Sequence, residues 1–181
     1  MALLNLAYFF VEFSVARTIG SVSLFADSID FLEDASVNFL VLVALGWTAH
    51  QRAAVGFLLA LLLLVPGIAT AWMAWSKFHT PLPPAGLPMS LAGLGALAVN
   101  VYCAFLLVKV RNVAGSLSRA AFLSARNDAV ANGAIILAAV TTLYWSSAWP
   151  DLVVGIGIFL LNLGAAHEVF TAARKEARHA P

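Results

Sequence analysis

Charge is what this sequence has least of. Ten Lys and Arg against nine Asp and Glu leave its 181 residues only 10% charged, with a net charge of +1. Soluble domains carry about 25% charged residues, so a chain this poor in charge cannot cover a water-facing surface. Near-neutrality also offers no basic face, which excludes nucleic acid as a partner. The single cysteine, Cys103, excludes an intrachain disulfide and any thiolate cluster. Histidine is sparse as well: His50, His79, His167 and His179 are scattered among loops and span ends, poor positions for a shared ligand set. No Ser/His pair, His-Glu-x-x-His pattern or ATP-binding motif occurs, so the chain reads as neither an enzyme nor the holder of a prosthetic group.

What fills the sequence is apolar. Hydrophobic residues make up 62%, and the mean hydropathy is +0.92. Crossing a hydrocarbon core of about 30 Å takes roughly 20 helical residues. Hydropathy and helix breakers divide the chain into spans at residues 3–19, 23–47, 53–75, 89–110, 117–145 and 152–172. The proline-rich stretch from His79 to Pro84 separates the third span from the fourth. The first span has no basic leader and no small-residue cleavage site, so it reads as a retained helix. The expectation is an all-α integral membrane fold: a six-helix transport domain over residues 1–173, a short basic tail over 174–181, and no C-terminal soluble domain.

Six spans place both termini on one side. With the termini inside, Arg52, Lys109, Arg111, Arg119, Arg174, Lys175 and Arg178 lie in cytoplasmic segments, while only Arg17 and Lys77 lie outside. That bias predicts cytoplasmic termini. Trp47, Trp75, Trp145 and Trp149 fall near span ends, where indole rings anchor at the interface. The expected location is the cell membrane, which is the inner membrane in a Gram-negative source.

Ionisable groups inside spans are costly and mark pathways. In the second span, Ser23, Asp27, Asp30, Asp34 and Asn38 fall within roughly an 80° sector of the helix, while Glu33 points off it. In the fifth, Ser124, Asn127, Asp128 and Asn132 cluster on another stripe. Asp30, Asp34 and Asp128 are all expected near the midplane. Carboxylates stacked there cannot all ionise without a cation; they either stay protonated and hydrogen-bond each other or hold a cation, and their convergence from two helices favours a cation site. Glu12 reads either as a proton-pathway or neighbouring polar group, or as a partner for Arg126. Asp27 could help admit the ion, though capping the start of its helix is favoured. Glu33 and Arg126 flank the site and could form an ion pair. Asn38, Asn100, Asn132 and Asn162 are expected to hydrogen-bond between helices.

The run Asn5, Glu12, Gly20-Ser21, Ser23-Leu24, Ala26-Asp27 and Asp34-Ala35 resembles the first two spans of the cation diffusion facilitator family. The family's Asp-x-x-x-Asp metal pair falls on Asp30 and Asp34. Its fifth-span pair, usually His-x-x-x-Asp, falls on Ser124 and Asp128. The Trp-Pro-Asp turn ending at Asp151 is also similar. The resemblance implies a secondary transporter that exports divalent transition metal from the cytoplasm, zinc first and cadmium or cobalt next, by proton antiport with alternating access. It also implies a homodimer. Serine in place of histidine leaves the fourth ligand among Ser124, Asn127 and water, and raises manganese or iron(II) as cargo. A multidrug or organic-cation exporter using the same carboxylates is the alternative from another class. Family members usually continue into a cytoplasmic domain after the sixth span, and this chain reads as a short form without it.

Overall fold

The structure, a computed structural model, describes the backbone of residues 1–43, 51, 54 and 67–179. It describes the side chains of these residues except 37, 40–43, 107–126 and 165–179. Helix α1, Ala2–Ile19, stops at Gly20, which takes φ 68°, the left-handed region that glycine enters without steric cost. The Gly20 and Ser21 N–H groups both close on the Ala16 carbonyl, which ends the helix by a glycine stop. Ser21 then opens α2, Val22–Val43. Its hydroxyl accepts the Leu24 N–H at 3.2 Å, satisfying one donor of the first turn. The two helices form an antiparallel hairpin whose turn marks one end of the bundle, called here the Gly20 end.

Residues 67–79 form α3, and the irregular stretch 80–85 that follows holds Pro81, Pro83 and Pro84. Helix α5, Trp149–His179, starts with Pro150 in its first turn, where a missing N–H is tolerated. Between them the sequence predicts a loop around residues 111–116, yet the backbone is helical throughout α4, Gly86–Tyr144. A straight helix of that length would run about 88 Å. Instead, α4 doubles back. A methyl group added at Gly86 would meet Leu143 and the Ala139 carbonyl, and one at Gly93 would meet Ile135 and Ile136. The two arms of α4 are therefore antiparallel; of the expected third span, residues 53–75, only 54 and 67–75 are among the described residues.

Helix α2 packs against α1, α4 and α5. Its core neighbours include the small side chains of Ala16, Ala92, Ala138 and Ala139, which let helices approach closely. Because α1 ends and α5 begins at the Gly20 end, the start of α1 and the end of α5 lie toward the opposite end. Polarity is distributed inside out. Asn5, Glu12, Ser21, Ser23, Asp27, Ser28, Asn132 and Asp151 are fully buried, whereas Leu3, Trp72, Val130, Leu137 and Tyr144 are exposed. Such an arrangement suits lipid as the surrounding medium and not water. Ala2–Ile19 and Gly86–Leu106 are each long and apolar enough to cross a bilayer.

Trp75, Trp145 and Trp149 are exposed at the Gly20 end, as their reading as interface anchors requires. Phe78 meets Trp149 edge-on at 5.8 Å in the same rim. Trp47, His50, Arg52 and Pro66 lie outside the described residues, as do the side chains of Lys109, Arg111, Arg119, His167 and the basic tail.

Candidate functional site

The Gly20 end is held shut by a polar network centred on Asp151, in the first turn of α5. Its carboxylate accepts Ser21 Oγ at 2.7 Å, Ser23 Oγ at 2.7 Å, the Val22 N–H at 2.9 Å and the Ser23 N–H at 3.0 Å. Lys77 Nζ, from α3, donates to it at 2.7 Å and also to the Gly20 carbonyl at 2.5 Å. Three segments of the chain are thus tied at one buried point. Two expectations are corrected here. Asp27 does not cap α2, because Asp151 takes the free N–H groups of its first turn. Lys77 is not a loop charge: α3 continues past Trp75, and its ammonium is buried because Asp151 supplies the counter-charge.

Below this lock α2 passes from sealed to accessible. Residues 21–29 are buried without a break, whereas Asp30, Glu33, Asp34 and Asn38 are partly exposed. By helical rise, Asp27, Asp30 and Asp34 lie about 9, 14 and 20 Å below Ser21. Asp128, on the second arm of α4, is also partly exposed, and Asn127 beside it is exposed. The charges of Asp30, Glu33 and Asp34 all lie within electrostatic range of one another, and Asp128 interacts with Asp30, Asp34, Asp27 and Glu33. The acids of α2 and α4 therefore face a common region. Among the described residues, no three His, Cys, Asp or Glu side chains already close into a cluster that could hold a metal ion. The side chains of Ser124 and Arg126 lie outside the described residues.

Two contacts at this level went unnoticed in the sequence. Asn5 Nδ2, from α1, donates to Asp34 Oδ2 at 3.2 Å, and Cys103 Sγ, from the first arm of α4, points to Asn5 Oδ1 at 3.5 Å. Asp34 is thereby oriented by Asn5 of α1, whose own amide oxygen is met by Cys103. The asparagines divide differently from expectation. Asn162 does bridge helices, donating to the Ala26 carbonyl at 3.2 Å. Asn38 and Asn132 instead donate to carbonyls one turn back in their own helices, those of Asp34 and Asp128. A polar group deep in a span finds its nearest acceptor in the preceding turn.

A third group sits between lock and acids. Glu12 of α1 and Asp27 of α2 are both fully buried and reach one another across the α1–α2 interface.

A helical bundle with lipid-facing hydrocarbon outside and converging carboxylates within defines a polytopic ion-transport domain. The family described as the cation efflux transmembrane domain matches residues 1–176, and this chain belongs to it. It is accordingly a membrane protein of a transport family and not of an enzyme family. Among curated proteins it is similar to the zinc transporter ZitB of Pectobacterium atrosepticum, 29% identical over 169 residues, covering 83% of this chain and 53% of that protein. The zinc transporter ZitB of Yersinia pestis is 27% identical over 179 residues, covering 87% and 57%. That of Yersinia pseudotuberculosis is 28% identical over 159 residues, covering 79% and 50%. The chain spans about half the length of these relatives.

Proposed function

We propose that this domain exports a divalent transition-metal cation from the cytoplasm, with zinc as the first cargo and Asp30, Asp34 and Asp128 as its ligands. The observation that carries the reading is the meeting of partly exposed carboxylates from α2 and the second arm of α4, just below the sealed stretch of α2. Carboxylate oxygens suit zinc at about 2.0–2.2 Å and also accept manganese and iron(II). The names of the relatives favour zinc. Asn127 or Ser124 is the candidate fourth ligand, with water as the alternative. Protons compete with the metal for these carboxylates, so binding is coupled to proton release, and antiport follows from that competition. Alternating access then consists of opening the Gly20 end while the opposite end closes. The termini face the cytoplasm on the strength of the Lys/Arg bias, and the working unit is a homodimer by family resemblance.

The test is zinc flux into proteoliposomes carrying an entrapped zinc indicator. Asp30→Ala, Asp34→Ala and Asp128→Ala should each abolish flux while leaving folded protein in the membrane. Near wild-type flux in all three would overturn the site. Ser124→His should tighten zinc binding and shift preference away from manganese, whereas Ser124→Ala should change little.

A further inference from the structure

The Glu12–Asp27 pair lies about one helical turn nearer the Gly20 end than the proposed ligands. Both side chains are 0% exposed. They approach one another within hydrogen-bonding range, yet no donor among the described residues reaches any of their four oxygens. Asn132 Oδ1, one turn beyond Asp128, is likewise buried without a partner. The residues next to the pair along the chain are apolar core residues: Leu24, Phe25 and Ala26 precede Asp27, and Ala16 lies one turn on from Glu12. The buried cation Lys77 is engaged with Asp151 and the Gly20 carbonyl.

Two carboxylates are acceptors only. Placed together away from water with no donor among the described residues, they repel and lack solvation. One proton removes both problems, because one carboxyl then donates a charge-assisted hydrogen bond to the other. We propose that Glu12 and Asp27 form a proton-binding dyad, separate from the metal ligands, that carries the counter-ion of transport. The proton is taken from water on one side of the membrane as an O–H bond on one carboxyl, shared with the other, and returned to water on the opposite side.

This inference rests on the transport reading. The groups facing the dyad are Tyr8 from α1, whose phenol donates to the Ala92 carbonyl at 2.6 Å, Asp30 from α2, and Asp128 from α4. Helix α5 brings the neutral Asn162 amide to Ala26, and its Asp151 is neutralised by Lys77. A divalent ion placed among Asp30, Asp34 and Asp128 raises the local positive potential and drives the dyad proton off without sharing a ligand with it. Metal and proton then exclude one another through the field between the two levels.

Infrared spectroscopy of the metal-free protein tests the dyad without any transport. Beside the bands of protonated ligand carboxyls, the C=O stretching region of the wild type should hold a distinct band from the proton shared by the dyad. That band should be lost in Glu12→Gln and in Asp27→Asn, and retained in Asp30→Asn, Asp34→Asn and Asp128→Asn. Absence of the band from the wild type, its survival in Glu12→Gln, or its disappearance on adding sodium would overturn the proposal. Calorimetric zinc titration in buffers of different ionisation enthalpy provides the second readout. Wild type should release one more proton per zinc than Glu12→Gln, and an equal count would overturn the coupling. If the wild type carries no zinc at all, the transport reading fails, while the infrared band still decides the dyad.

Discussion

Asp151→Leu is the most severe single perturbation of this fold that leaves the proposed metal ligands untouched. It deletes the acceptor of an ammonium, two hydroxyls and two backbone N–H groups, all buried. Lys77, with its side chain 7% exposed, is left charged with only the Gly20 carbonyl. Removing one partner of a buried ion pair costs about 3–5 kcal/mol. Each donor left without an acceptor adds about 1–3 kcal/mol. The sum approaches the whole stability of a typical domain, about 5–15 kcal/mol. The variant should therefore be recovered poorly, or should melt far below wild type in detergent micelles. The double variant Lys77→Met/Asp151→Leu removes the stranded charge together with its partner. It should be more stable than additivity allows by about 2–3 kcal/mol. Thermal unfolding of the four proteins of this cycle is the assay. A loss below about 1 kcal/mol for Asp151→Leu, or strict additivity in the cycle, would refute the lock.

Gly155→Ala tests the same region by sterics. An added Cβ would lie 2.7 Å from Val22 Cγ1 and 2.8 Å from the Ser23 nitrogen, so overpacking should destabilise the protein by about 1–3 kcal/mol, read as a lower melting temperature. Asn5→Ala removes the donor to Asp34. If Asp34 is a ligand, zinc affinity should fall by about 10–100-fold in calorimetric titration, and an unchanged affinity would detach Asn5 from the site.

Periodicity and punctuation made the architecture legible. Gly20-Ser21 announced the turn between α1 and α2, the prolines after His79 marked the break before α4, and the Asp stripe on α2 followed from spacing alone. The reversal within α4 was also foreseen, although the helical backbone there replaces the expected loop. Relations between distant segments were not legible. Nothing local distinguishes Asp27 from a helix cap, because the residue that takes that role, Asp151, lies 128 to 130 positions beyond its partners. Lys77 looked like a loop charge for the same reason. The asparagines misled because pattern shows which side of a helix a polar group occupies, and not whether its hydrogen bond turns back along that helix. Asn5 could be read only as part of a motif until its contact with Asp34 gave it a physical task.

The distance between Asp151 and its partners also sets a timetable for biogenesis. Ser21, Ser23 and the opening N–H groups of α2 leave the ribosome long before the carboxylate that satisfies them. Synthesis at about 5–20 residues per second puts roughly 6–26 s between the two. Lys77 waits for a shorter part of the same interval. During that time the first hairpin can be inserted but its mouth cannot be desolvated, since its donors must keep water or lipid headgroups as acceptors. Closure of the bundle is therefore reserved for the arrival of α5, and a nascent chain halted before Trp149 would hold an open, hydrated vestibule where the folded domain has a seal.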